Sequence, residues 1–148
     1  MTTFFAFLHH LAAFALVGAL AVELVLVHAE ITLANLRRLL VADAVLGMAA
    51  GTVLIVGLVR VFLLEKGADY YFSNMAFIIK FGVFLGIGAL SLMPTLNFLS
   101  WRKDLRAGRL PEIEPKRFAM IQATVHGELA AVAVILLCAA LMARGGWV

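Results

Sequence analysis

Apolar residues in this chain come in long, nearly unbroken runs. Four of them cover roughly residues 4–27, 41–64, 75–99 and 118–142. Each exceeds the ~20 residues that a helix needs to cross the hydrocarbon core of a bilayer. None alternates apolar and polar positions as barrel strands do. Lipid offers no partner to backbone N–H and C=O groups, so each run is expected to pair them within its own helix. The pattern predicts an all-α integral membrane protein, a four-helix transmembrane up-down bundle forming one domain over residues 1–148.

Composition strengthens that reading. The 148 residues are 64% hydrophobic and 14% charged, and a soluble domain this small has too little interior for so much apolar surface. The first run differs from a secretory leader because "MTTFFAF" has no Lys or Arg before it, and it is expected to stay as a span. The runs are separated by loops of uneven charge. "HAEITLANLRRLL" carries Arg37 and Arg38, and "WRKDLRAGRLPEIEPKRF" carries six more basic residues. The opposite side has Lys66 and Arg144. The positive-inside bias then places both termini outside, in the periplasm if this is a multi-pass protein of a bacterial inner membrane. The net charge of +3 reflects this topology, and no aromatic-interleaved basic surface points to nucleic acid.

Helix contacts are expected at small residues, Gly47, Gly51 and Gly57 in the second span and Gly82, Gly86 and Gly88 in the third. Pro94 frees a carbonyl near Leu90 and kinks the third span, while Pro111 and Pro115 interrupt helix in the last loop. The lone Cys138 reads as a small buried apolar residue. No zinc spacing, nucleotide fingerprint or phosphate loop is present.

The chemistry lies in what interrupts the apolar runs. Ionisable groups at membrane depth are costly, and each is a functional candidate. Counting ~1.5 Å per residue places His9, His10 and Lys80 at one level near the outer side, with Arg60 ending the second span there. This basic cluster has no carboxylate to balance it. Toward the inner side lie Glu23, Asp43, Asn97, His126 and Glu128, a mainly acidic set. At about 100° per residue, His9, Leu16 and Glu23 share one face of the first span, and His10 shares a stripe with His28. His126 and Glu128 diverge by about 200°, with Gln122 and Thr124 one turn before them as supports. Glu23, His126 and Glu128 are candidates for a proton relay. The outer cluster suits a flat, apolar, anionic ligand. A neutral imidazole, His10 or His9, is an axial ligand for heme iron, and Lys80 and Arg60 suit carboxylates. Met142 and Cys138, toward the same side, are candidates for the second axial position.

Three segments resemble a known family. "HLAAFALVGALAVELVLVHAE" is similar to the first helix of the membrane-type protoporphyrinogen IX oxidases, the HemJ family, with a histidine-leucine pair at its start and a His-Ala-Glu ending. "GMAAGTVLIVGL" resembles that family's second helix, and "AFIIKFGVFLGIGALSLMPTLNFLSWRKDLRAG" its third. The likeness covers roughly residues 7–106 and requires a short gap in the first span. The fourth span departs from the family, lacking its Asn-Glu-x-Pro opening and introducing His126. The overall pattern is also similar to an uncharacterised bacterial family of small four-helix membrane proteins. The resemblance implies heme b, with His10 on the iron and His10 and Lys80 as the catalytic pair, in an oxidoreductase that turns protoporphyrinogen IX into protoporphyrin IX. Electrons would pass to quinone or a respiratory-chain partner. Two other readings need no heme. One is a small proton-coupled transporter that works as a homo-oligomer. The other is a structural or assembly subunit of a larger membrane complex.

Overall fold

The computed structural model describes residues 1–145, so the last three residues of the expected domain, 146–148, lie outside the described residues. The described residues are helical and contain no strand. The long helices are α1 (Thr2–Leu26), α2 (Leu33–Val59), α4 (Met75–Arg106) and α5 (Pro115–Ala143), and a short α3 (Ala68–Phe72) lies between α2 and α4. All four long helices are apolar enough to cross a membrane, α2 together with the π turn that follows it at Arg60–Leu64. The up-down bundle expected from the apolar runs is the architecture observed.

The helix ends differ from the apolar runs. Helix α2 starts at Leu33, well before residue 41, because the Thr32 side chain caps it by accepting from the Asn35 N–H at 3.1 Å. Leu36 and Leu39 then bury the inner face of an amphipathic first turn. Helix α4 continues past residue 99 to Arg106 because Trp101 and Leu105 still find the core. Gly108, at φ 72°, ends that stretch in the left-handed region where glycine is at ease, and Pro115 opens α5 at a position that needs no N–H. Asp43, Asn97 and Glu128 therefore lie three turns or so inside their helices, deeper than run boundaries indicate.

Helix α1 packs mainly on α2, and α4 on α5, with lighter contacts closing the ring. The core sits at the end that carries the two basic loops. There Leu20, Val27, Leu36, Leu39, Phe98, Trp101, Leu105, Ile121 and Val125 form one cluster. Two polar ties cross it. Gln122 Nε2 donates to the Val27 carbonyl at 2.7 Å, and Arg37 donates to the Leu105 carbonyl at 2.8 Å. Both satisfy carbonyls near helix ends, which lack partners within the helix.

The glycine expectation is corrected. A Cβ added at Gly47, Gly51, Gly82, Gly86 or Gly88 would meet nothing within 4 Å, so these positions do not hold helices together within the chain. Gly57 alone is used for close approach, with the His9 ring 3.2 Å from where its Cβ would be. Small residues permit contact, but the inward stripes are set by larger core side chains.

Candidate functional site

Three helices bring carboxyl groups to one region of the interior. Glu23 of α1 is 1% exposed and Glu128 of α5 is 5% exposed, while Asp43 of α2 is half-buried. Asp43 and Glu128 both lie close enough to Glu23 to act on its charge. Helix α4 supplies hydroxyls on either side of Pro94. Thr95 donates to Asp43 Oδ1 at 2.7 Å, and Ser91 lies against Glu128 Oε1. Ser91 is also 2.8 Å from the Ile87 carbonyl. Glu23 Oε1 and Glu128 Oε2 are buried with no hydrogen-bond partner, and no ion pair among the described residues involves these carboxyls.

The expected relay is rearranged. Glu23 and Glu128 lie within electrostatic range of each other, and Asp43 lies in the same range. His126 faces the exposed side, its Nδ1 donating to the Gln122 carbonyl at 2.8 Å. It meets His28 instead, ring edge to ring face, with centroids 5.1 Å apart. Thr124 bonds the Met120 carbonyl, so the hydroxyl beside Glu128 is Ser91 of another helix. Asn97 bonds the Met93 carbonyl within its own helix. The one sequence signal for the hydroxyls is the i, i+4 spacing of Ser91 and Thr95, one helix face.

At the end carrying the N-terminus, His9 turns inward, within electrostatic range of Arg60 and Lys80, and its Nδ1 is buried without a partner. His10 lies on the exposed side, its Nδ1 donating to the Ala6 carbonyl at 2.6 Å. The basic cluster is also not free of carboxylate. Past the π turn, Glu65 reaches back to Arg60, with contacts of 2.9 Å to Nε and 2.5 Å to Nη2. Its second oxygen accepts from the Tyr71 hydroxyl. The π turn makes this possible, because the Glu65 N–H bonds the Arg60 carbonyl five residues back, at 3.0 Å. Lys80 is half-buried, with Cys138 of α5 near enough to act on it, and Met142 is half-buried one turn further along α5.

Residues 1–146 match the family described as "Predicted membrane protein (DUF2214)". The chain belongs to that family. No curated protein and no solved structure matches it. The family description and the four apolar helices make this DUF2214 chain a multi-pass membrane protein in contact with the bilayer.

The Arg60–Glu65–Tyr71 connection gives the DUF2214 chain a testable electrostatic signature just outside the spans. Burial works against the Glu65 charge, but hydrogen bonds from Tyr71 and Arg60 and the guanidinium's charge outweigh it and hold the carboxyl below its usual range. Tyr71 is pushed up to about 12, by burial first and then by Glu65. The Glu65 contribution to stability is therefore complete above the unfolded value of about 4.3 and is lost as pH falls through the lower folded value. The Tyr71 contribution is present below its unfolded value of about 10. It is lost as pH rises through about 12. Tyr71→Phe is expected to move the Glu65 midpoint upward, read as a carboxyl carbon shift in a pH titration by NMR.

Proposed function

We propose that this chain takes up and releases protons at an intramembrane carboxyl layer, serving proton-coupled transport. The observation that carries the reading is the pair of buried, unpartnered carboxyl oxygens, Glu23 Oε1 and Glu128 Oε2, beside Asp43. Carboxyl groups gathered in hydrocarbon without a cationic partner need a proton or a cation to offset their charge. Protons are the better fit, since no three His, Cys, Asp or Glu among the described residues come together as a metal site. Ser91 supports this. Its single hydroxyl proton cannot serve both the Ile87 carbonyl and Glu128, whereas a protonated Glu128 donating to Ser91 leaves Ser91 free to donate to Ile87. With the basic loops inside, the nearby His28–His126 pair would face the cytoplasm. The test is purified protein in liposomes holding a pH-sensitive dye. An imposed membrane potential should acidify the interior faster than in protein-free vesicles, and equal rates from pH 5 to 8 would refute the reading.

A second reading, heme binding, is favoured by His10. Its Nδ1 is held by a backbone carbonyl and its Nε2 is left free, the arrangement of an orienting hydrogen bond behind a ligand imidazole. His10 would hold the iron of heme b, and Lys80 on the same level would serve the propionates. The heme would supply the electron transfer of a porphyrinogen oxidase, as the HemJ resemblance implies. A pyridine-hemochrome assay after heme-sufficient expression is expected to show heme in the wild type and at least about tenfold less in His10→Ala, the scale of a lost metal ligand. A colourless wild type removes this reading and leaves the carboxyl layer untouched.

A further inference from the structure

The level of His9, Arg60 and Lys80 keeps unused donors after its internal pairing is complete. Both Glu65 oxygens are taken, one by Arg60 and one by Tyr71. Arg60 spends Nε and Nη2 on that pair, which leaves Nη1 free. Lys80 makes no hydrogen bond or ion pair among the described residues, and its Nζ lies 6.0 Å from the Phe77 ring centroid. His9 turns its Nδ1 edge into α2 beside Gly57 and Val53, so its ring walls this level and is not a free donor. The three groups act on one another's charge, so the level holds one more cation than anion. A lysine with a free choice would extend toward water, away from like charge. Here Lys80 is held half-buried beside Arg60.

From these unused donors, we infer that Arg60 and Lys80, beside His9, form a binding site for the anionic phosphate of a membrane amphiphile. Depth argues for a lipid source. Lys80 lies five residues after Met75, about 7.5 Å along α4. A helix of 32 residues is about 48 Å long and overruns a hydrocarbon core of about 30 Å at both ends. Lys80 is thus near the boundary where lipid phosphates lie. A phosphate there would accept from Lys80 Nζ and Arg60 Nη1 as charge-assisted bonds. The site shares no residue with the carboxyl layer and does not depend on it.

The test is native mass spectrometry of delipidated full-length protein titrated with phosphatidylglycerol or phosphatidylcholine. One phosphatidylglycerol per chain should be retained at least about tenfold better than phosphatidylcholine, because the two share the phosphate but choline brings a cation that Arg60 and Lys80 repel. Lys80→Gln should remove the preference and Lys80→Arg should keep it. Circular dichroism confirms that each variant is folded, and Arg60→Gln gives an independent arm should Lys80→Gln fail to fold. Equal retention of the two lipids, or an unchanged preference in both Gln variants, would overturn the site. Displacement of the lipid by millimolar inorganic phosphate would overturn the lipid source.

Discussion

Glutamine in place of Glu128 is expected to slow proton uptake by reconstituted vesicles at least about tenfold while leaving the fold in place, as befits loss of a group that must gain and lose the proton itself. Glutamine keeps the volume of the side chain and can still donate to Ser91 through its amide. What it loses is exchange of a proton. Asp43 and Glu23 share the same electrostatic neighbourhood, so Glu23→Gln should show the same loss and the double variant little more. Helical content and melting temperature in detergent serve as the folding control. A Glu128→Gln protein that moves protons like the wild type would reduce the carboxyl layer to a packing feature.

The second large effect is on stability. Phe98 is 0% exposed and stands at the centre of the core cluster, against Trp101 with ring centroids 5.4 Å apart. Phe98→Ala is expected to cost about 2–4 kcal/mol, somewhat below the aqueous range because an unfolded span remains in lipid and the penalty is chiefly that of the cavity. Phe14 is the control. It is 78% exposed on the outer face of α1, and Phe14→Ala should cost little because acyl chains replace its contacts. Unfolding in detergent with increasing denaturing surfactant measures both. Equal costs would mean that the bundle is not held at its basic end.

The two effects separate what apolar surface does from what polar groups do. The spans were legible because lipid forces long apolar runs into helices. Helix ends were less so. At residues 33–41 and 99–106 the helix extends beyond the apolar run because an amphipathic stripe still reaches the core. The depth of His9 and Lys80 was also legible, since it needs only residue counting. Partner choice was not. Glu65 neutralises Arg60 only because a π turn and a short α3 bring Glu65 and Tyr71 back over the helix end, and nothing in "RVFLLEKGADYYF" announces that turn.

The sequence by itself determined the four spans, their up-down order, and the shared face that joins His9, Leu16 and Glu23. Hydrophobic length and a 3.6-residue period are local properties, readable from one segment at a time. Only the tertiary structure decided that Asp43 and Glu128 would face Glu23, that Ser91 and Thr95 would serve them, and that His126 would turn outward to His28. Those pairings depend on the relative rotation and stagger of four helices. That arrangement is settled by large side chains such as Phe98 and Trp101, which sit far along the chain from Glu23, Asp43 and Glu128.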